Sequence, residues 1–375
     1  MKVLALEPYY GGSHRAFLDS WSEQSAHSWT TMGLPPYKWK WRMRHGALTL
    51  ARRVAQLIND EAQWDLLFAS DMLDLAQFLG LAHPSLRSLP SVVYFHENQL
   101  TYPVRVEKEH DLHFAMTNFS TAVASDTIWF NSAFHRDSFL EALPAFFKRM
   151  PDFYPDDDIA ALRAKSSIHP PGVSTLRKAR SPRPAGPVRI LWAARWEHDK
   201  APETFFAALR ALEGRGVDFR LSVLGESFRE QPSVFEDARA RFAARIDHWG
   251  FLPAREDYEA VLNEADLFVS TARHEFFGIS AVEAVAAGAF PVLPYRLSYP
   301  EVMRPLANAV GGEIFYEGGV RPLARKLAEL SARAARDTLW PNSDRDLGRR
   351  LMERYHWSRL GPELDDALER ARLTR

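Results

Sequence analysis

Cysteine is absent from the 375-residue chain, which excludes disulfide bonds, thiolate metal sites and a cysteine nucleophile. Net charge is almost absent too, because 47 Lys and Arg residues are balanced by 48 Asp and Glu residues. No global field would therefore draw the chain onto nucleic acid or membrane, and a polyanionic partner would have to bind a local patch. No apolar run approaches the roughly 18 residues of a membrane span. We expect a soluble protein with no membrane partner, and the lack of cysteine favours the cytoplasm.

Short apolar runs alternate with longer amphipathic segments in the first half of the chain. The runs are residues 2–8, 64–70, 91–97 and 126–132, and the segments between them include 46–62 and 107–124. The first run ends too early for a signal-peptide core, so it predicts a strand. Apolar strands that alternate with helices indicate a parallel sheet covered on both faces.

A different texture marks the middle of the chain. Residues 169–187 contain five prolines and two glycines and show no apolar periodicity, which predicts a linker at 171–187. After it the alternation restarts, at residues 188–195, 218–226, 265–271 and 289–294. We therefore predict two Rossmann-like α/β domains, 1–170 and 188–356. Because open α/β sheets bind ligands at the carboxyl ends of their strands, a cleft between the two domains is expected.

Residues 274–288, HEFFGISAVEAVAAG, lie between two predicted strands and hold two acids. Gly278 is expected near the start of a helix and Gly288 past its end. The N-terminus of that helix suits a phosphate. Glu283, about one turn in, can accept two hydrogen bonds from a vicinal diol such as a ribose, while Glu275 stands in the loop. Taken alone, the two acids are better explained without a ligand, Glu275 as a solvated loop acid and Glu283 as an acid in the first turn of a helix.

The segment around these acids resembles the donor-binding half of the retaining GT-B glycosyltransferases. Residues 249–294 have that family's Gly-containing turn, helix, D-x-x-x-x-S/T strand and E-x7-E, in order. The resemblance implies that Glu283 binds the donor ribose and Glu275 the sugar hydroxyls. It also implies that backbone around Gly278 and Ile279 holds the diphosphate.

Three further positions follow from the same resemblance. Backbone near Phe251 would hold the base. Arg195 and Lys200, five residues apart just after a predicted strand, match the family's paired cations for the diphosphate. They would neutralise the leaving nucleoside diphosphate without a metal. The alternative for Arg195 is a local ion pair.

The N-terminal half carries more distinctive motifs: YYGGSH (9–14), YKWKWRMRHGAL (37–48), YFHENQLTYP (94–103) and FNSAFHRDSF (130–139). Gly11 and Gly12 would let backbone amides meet the ligand. With these motifs, nearly the whole chain resembles the queuosine-tRNA mannosyltransferases. The resemblance implies transfer of mannose from GDP-mannose, with retention, onto queuosine at the tRNA wobble position. It places His96 beside the donor sugar and a last helix, at about 357–375, against the first domain.

A basic strip lies within an acid-free stretch between Gln24 and Asn59. The strip alternates cations with apolar side chains, in the order Lys38, Trp39, Lys40, Trp41, Arg42, Met43 and Arg44. A period of two predicts an extended segment with the cations on one face and the rings on the other. Cations for phosphates and rings for splayed bases suit a flexible RNA strand, so we predict that the strip binds tRNA. Whether the tryptophans are buried or stack on bases stays open.

Other interpretations of the sequence were weighed against this one. Asp156, Asp157 and Asp158 could be mistaken for a metal-binding D-x-D, but they open a helical pattern and suit helix capping better. No histidine cluster has zinc spacing, and we predict no metal and no cofactor. Rival functions are the same transferase with a polysaccharide or lipid acceptor, a tRNA-binding protein without catalysis and, less strongly, a sugar-nucleotide epimerase. No protein partner is evident.

Overall fold

The computed structural model describes residues 1–58, 63–103, 111–174, 186–226 and 232–374. The chain divides into two compact units, Met1–Gly172 with Trp357–Arg375, and Val173–His356. We call them the N-terminal unit and the C-terminal unit. Parts of the predicted helices at 46–62 and 107–124, and most of the predicted linker at 171–187, lie outside the described residues.

A parallel sheet forms the centre of the N-terminal unit. Its described strands are β1 (Lys2–Glu7), β2 (Ser28–Gly33), β3 (Leu66–Ser70), β4 (Ser91–Phe95), β5 (Thr127–Phe130) and β6 (Ser166–Ile168), in the spatial order β2-β1-β3-β4-β5-β6. The helices are α1 (Gly12–Ser22), α2 (Trp39–Ala55), α3 (Leu75–Leu81), α4 (Pro84–Arg87), α5 (Leu112–Ala124), α6 (Ala133–Phe147), α7 (Asp156–Ala164) and α16 (Trp357–Arg372). Every residue of β3 and β4 is buried, because helices cover both faces of the sheet.

The C-terminal unit has a second parallel sheet. Its described strands are β7 (Val188–Ala193), β8 (Phe219–Leu224), β9 (Ile246–Gly250), β10 (Leu267–Val269), β11 (Phe290–Pro294) and β12 (Phe315–Tyr316), in the order β12-β11-β10-β7-β8-β9. The helices are α8 (Pro202–Glu213), α9 (Val234–Arg241), α10 (Arg255–Glu264), α11 (Ile279–Ala286), α12 (Tyr299–Val302), α13 (Arg304–Ala309), α14 (Val320–Ala335) and α15 (Leu347–Met352). The two sheets confirm the predicted α/β class and the eight predicted strands.

Helix α16 packs onto the N-terminal unit although it follows the C-terminal unit in sequence. Trp357, Leu364 and Leu368 join the core beside the sheet. The buried carboxylate of Asp365 accepts hydrogen bonds from the Trp21 indole N–H (2.9 Å), the Ser25 hydroxyl (2.7 Å) and the Ala26 backbone N–H (2.7 Å). These three charge-assisted hydrogen bonds fix the position of α16 along the N-terminal unit, which apolar packing alone specifies less strictly.

The predicted extended conformation of the basic strip is wrong. Residues from Trp39 onward belong to α2, and Lys38 precedes the helix in a left-handed conformation with φ of 52°. Helical spacing breaks the two-residue alternation, since side chains three or four apart share a face. A stretch whose pattern fits a strand has become helical because Met43, Ala47 and Leu50 supply a buried stripe at helical spacing.

The three acids Asp156, Asp157 and Asp158 lie in the first turn of α7, as predicted for helix-start acids. No helix in the described part of the chain combines the length and the hydropathy that a membrane crossing requires.

Candidate active site

The loop between β10 and α11 carries the first acid of the E-x7-E pair. Phe276 and Phe277 are buried and pack on the rings of His274 (4.4 Å between centroids) and Tyr355 (5.3 Å). The buried Ser298 hydroxyl donates to the Phe277 carbonyl at 3.1 Å. Phe276 and Phe277 therefore fix the loop in place, while the side chain of the preceding residue, Glu275, stays partly exposed.

Lys200 contacts Glu275 at the carboxyl ends of the strands of the C-terminal sheet. Its Nζ lies 3.4 Å from Glu275 Oε2 and 3.1 Å from Asp199 Oδ2, and donates to the His274 carbonyl at 2.7 Å. Burial disfavours the charged form of Lys200, but Glu275 and Asp199 outweigh it and raise its pKa. Lys200 is therefore a fixed cation whose position is set from three sides.

Arg195 lies near this cluster, but its side chain is more exposed than that of Lys200. Its guanidinium is 3.5 Å from Glu197 Oε2, and both side chains are partly exposed to solvent. Its positive charge repels that of Lys200 and acts to lower the Lys200 pKa. The local ion pair foreseen as the alternative for Arg195 thus exists. An exposed pair of this kind is weak, so it does not prevent Arg195 from meeting an anionic ligand.

Glu283, the second acid, is held by two residues of α10. Only 7% of it is exposed. Its Oε1 lies 2.8 Å from Arg255 Nη1, and its Oε2 accepts a hydrogen bond from the Tyr258 hydroxyl at 2.9 Å. Arg255 also donates to Glu259 at 2.9 Å. Burial first, and then the Glu283 charge, raise the pKa of Tyr258, so its hydroxyl stays a donor.

Gly278 is the N-cap of α11, and Ile279 is its first residue. The φ of Gly278 is 93°, and a β-carbon there would lie 2.9 Å from the Tyr299 ring. Only glycine fits at this position, and no side chain caps the N-terminus of the helix. Phe251 directly follows β9, with its ring 63% exposed.

A pocket opens at the carboxyl ends of β7 and β10. Its lining includes Ala194, Lys200, Ser270, Glu275 and Ser280. Parallel α/β sheets bind ligands at this edge. The structure therefore brings Lys200 and Glu275 to one pocket beside the start of α11, while Glu283 lies one turn further along that helix.

The predicted residues of the N-terminal unit lie at the corresponding edge of its own sheet. Gly11 is the N-cap of α1, where a β-carbon would come 2.3 Å from Pro36, and Gly12 has φ of 53°. His96 follows β4. Its backbone N–H donates to Asp71 Oδ1 at 2.9 Å, and its carbonyl accepts from Asn131 Nδ2 at 2.9 Å.

The basic strip is divided by the helix that it forms. Lys38, Lys40 and Arg44 are exposed, and Trp41 is 59% exposed. Arg42 is buried and donates to the Pro35 carbonyl at 2.9 Å. Trp39 is half-buried against Phe114, 5.1 Å between ring centroids. Trp39 therefore follows the buried interpretation, while stacking of the exposed Trp41 on a base stays a prediction.

Comparison with known proteins identifies the family. Residues 2–173 match the family described as tRNA-queuosine alpha-mannosyltransferase N-terminal, and residues 174–338 match glycosyl transferases group 1. The tRNA-queuosine alpha-mannosyltransferase of Drosophila melanogaster is 35% identical over 311 residues, which cover 80% of this chain and 81% of the relative. The chain belongs to the tRNA-queuosine alpha-mannosyltransferase family. It is therefore a hexosyl-transferring enzyme.

More distant similarities fit this family member. A GDP-mannose:cellobiosyl-diphosphopolyprenol alpha-mannosyltransferase of Xanthomonas oryzae pv. oryzae is 27% identical over 169 residues, 45% of this chain and 43% of that relative. The sucrose-phosphate synthase of Thermosynechococcus elongatus superposes with a TM-score of 0.69 at 14% identity, covering 99% of both chains. At such identity the likeness shows the fold alone, which is that of the GT-B glycosyltransferases.

Several polar residues of the site were not assigned a role from the sequence. Arg255 and Tyr258 hold Glu283, Asp199 flanks Lys200, and Glu7 and His14 lie beside His96. His14 stands in the YYGGSH motif, which was singled out only for its glycines. Arg255 and Tyr258 are three residues apart, so they share a helix face, and this spacing was the available signal.

One group of side chains in the described residues is close enough to share a metal ion. The ligand atoms of Glu7, His14 and His96 all lie within 4.8 Å of one another. Glu7 and His14 are bonded to each other at 3.0 Å. We interpret them as an ion pair, and the expectation that the enzyme needs no metal stays a prediction.

Proposed function

We propose that this enzyme transfers mannose from GDP-mannose, with retention of configuration, to queuosine at the wobble position of tRNA. The observation that carries the donor half is the joint placement of Lys200, Glu275 and the uncapped N-terminus of α11 at one pocket. The acceptor half is supported by the Drosophila relative's activity and by the exposed cations at the start of α2.

Each part of the donor has a chemically matched group. Glu283 takes the ribose diol, because a carboxylate offers about four lone-pair positions and its protein partners use two. The backbone N–H groups at Gly278 and Ile279 take the diphosphate. Glu275 accepts hydrogen bonds from sugar hydroxyls, and the base would bind to backbone near Phe251. Gly12, which is exposed, offers a backbone amide in the N-terminal unit, whereas the Gly11 N–H already donates to the Tyr9 carbonyl at 2.9 Å.

The charges at this pocket favour departure of the nucleoside diphosphate. Lys200 is a buried cation held by Glu275 and Asp199, and Arg195 is an exposed cation near it. Negative charge that develops on the leaving phosphate meets both, together with the positive end of α11. The diphosphate then accepts the proton of the attacking hydroxyl on the face from which it leaves, which retains configuration. No metal is required for this step.

The acceptor strand is proposed to follow the exposed face of α2. Lys38 and Lys40 are available for phosphates, Arg44 can exchange its exposed ion pair with Asp111 (3.6 Å) for a phosphate, and the ring of Trp41 is available for a splayed base. Arg42 and Trp39 support the surface from beneath. Replacing Lys38, Lys40 and Arg44 with alanine should weaken tRNA binding and lower the slope of log K against log salt by about 2–3. The matched control removes exposed cations of α14, Arg321 and Arg325, and an equal loss there would contradict this surface.

The direct test incubates the enzyme with labelled GDP-mannose and purified tRNA. Label should enter queuosine-containing tRNA and not the same tRNA with guanosine at the wobble position. EDTA should leave the rate unchanged, and NMR of the released nucleoside should show the α-anomer. Transfer from UDP-glucose in preference to GDP-mannose would reject the donor, and equal labelling of both tRNAs would reject the acceptor.

A further inference from the structure

A group of buried titratable side chains lies at the carboxyl ends of β1, β3 and β4, beside His96. Glu7, the last residue of β1, is fully buried. Its Oε1 accepts the backbone N–H of Tyr9 at 2.8 Å, and its Oε2 lies 3.0 Å from His14 Nδ1. A buried carboxylate is costly unless it is paired, and His14 is its only side-chain ion-pair partner among the described residues.

The His14 ring lies against the His96 ring. Their centroids are 4.0 Å apart at an interplanar angle of 32°. Phe17 and Tyr94 enclose His96 from other sides, at 5.3 and 4.6 Å. In the described part of the chain no hydrogen bond to the His96 ring nitrogens is found, and the residue is only half-buried. The imidazole is thus packed among three aromatic rings.

We propose that His14, fixed by Glu7 against the face of His96, is a positioning residue of the transfer reaction: it holds the His96 imidazole in place and in its neutral form toward a substrate hydroxyl. This role rests on the proposed function, and on the position of His96 beside the donor sugar that the resemblance implies. A neutral imidazole can accept a proton at one nitrogen while it donates from the other, which an imidazolium cannot do.

The electrostatics of the group agree with this arrangement. Burial opposes protonation of His14, but Glu7 more than compensates and raises its pKa to about 9. Burial, then His14 and His135, lower the pKa of His96. Burial raises the pKa of Asp71 well above its usual range. The titratable groups that act on this pair of rings are Glu7, Asp71, Tyr94, Glu97 and His135.

The first test measures histidine titrations by NMR in the protein without substrates. In the wild type, His14 should titrate well above neutrality and His96 below its ordinary range. Glu7→Gln and His14→Phe should each raise the His96 midpoint, because both remove the neighbouring positive charge. An ordinary His14 midpoint in the wild type, or a His96 midpoint unmoved in a folded variant, would overturn the proposal. The wild-type titration decides even if both variants fail to fold.

The second test measures transfer against pH. Both variants should lower kcat about 10-fold or more with little change in the KM for the donor, and should move the acid limb to higher pH. His27→Phe, which alters another buried histidine of the same unit, should change neither. Normal pH profiles in both variants would reject the role of His14. If the NMR shifts occur but the wild type glycosylates no tRNA, the proposed function fails while the histidine pair stands.

Discussion

Glu283→Gln is expected to weaken donor binding without unfolding the site. The carboxylate is nearly buried, and both its oxygens are already held, by Arg255 at 2.8 Å and by the Tyr258 hydroxyl at 2.9 Å. Glutamine keeps the shape of the side chain but loses its charge and one acceptor oxygen. The ribose diol would then meet one neutral acceptor instead of an oriented carboxylate.

The size of the effect follows from the bonds that change. A hydrogen bond to a charged group contributes roughly 1.5–3 kcal/mol. Losing one such bond and weakening the second costs about 2–3 kcal/mol, which corresponds to a rise in Kd of about 30- to 150-fold. Because the ribose does not react, the loss applies equally to ground state and transition state. KM for GDP-mannose should therefore rise while kcat stays within about threefold.

Glu259→Gln is the matched control. Glu259 binds the same Arg255 guanidinium at 2.9 Å, and in the described part of the chain no hydrogen bond joins it to Glu283. Titration calorimetry with GDP and steady-state kinetics with GDP-mannose would compare the two variants. If Glu283→Gln binds GDP as the wild type does, or if Glu259→Gln loses as much affinity, Glu283 is not the ribose receptor.

Three further outcomes are expected. Gly278→Ala should lower the free energy of unfolding by roughly 1–2 kcal/mol because of its positive φ alone, and it should also lower donor affinity. Thermal unfolding with and without GDP measures both effects. The control Gly80→Ala, where a β-carbon meets nothing within 4 Å, should be neutral or stabilising. Asp365→Ala should destabilise by roughly 3 kcal/mol, since it leaves three donors unpaired, whereas the exposed Asp366→Ala should not, as denaturant melts would show. His14, with its raised pKa of about 9, contributes stability that is complete below about pH 6.5 and is lost as pH rises through 9, roughly 3 kcal/mol in all; a pH series of melts should show the loss in the wild type and not in His14→Phe.

The strands that the sequence predicts are the four inner strands of each sheet. Because helices cover both faces of these strands, nearly all of their residues are apolar, as in β3, LLFAS. A continuous apolar run of this kind can be recognised in the sequence. The missed strands, β2, β6, β9 and β12, are the two edges of each sheet. Edge strands are short or half-exposed, as SWTTMG and FY are, so periodicity alone does not separate them from loops.

The basic strip shows why local pattern can mislead. KWKWRMR has a perfect period of two, yet the following residues impose a helix whose buried side includes Met43, Ala47 and Leu50. Burial of one face of the seventeen-residue helix α2 determines the conformation more strongly than the alternation of cations and apolar residues in the seven residues of the basic strip. Arg42 was assigned to the RNA face by that alternation, and its burial is the direct consequence of the change in period.

Acids and cations at element ends were predictable, but their partners were not, because pairing depends on which strands neighbour one another. Lys200 lies 75 residues from Glu275 in sequence, and β7 and β10 become adjacent only in the folded sheet. Glu7 and Asp71 are brought together likewise by the adjacency of β1 and β3. In the C-terminal sheet, strand order brings the opposite charge of Glu275 to the buried Lys200, whereas in the N-terminal sheet the opposite charge for Glu7 comes from His14 of the helix that directly follows β1. A substitution that removes one partner should therefore impair the other's role even where the altered residue touches no substrate.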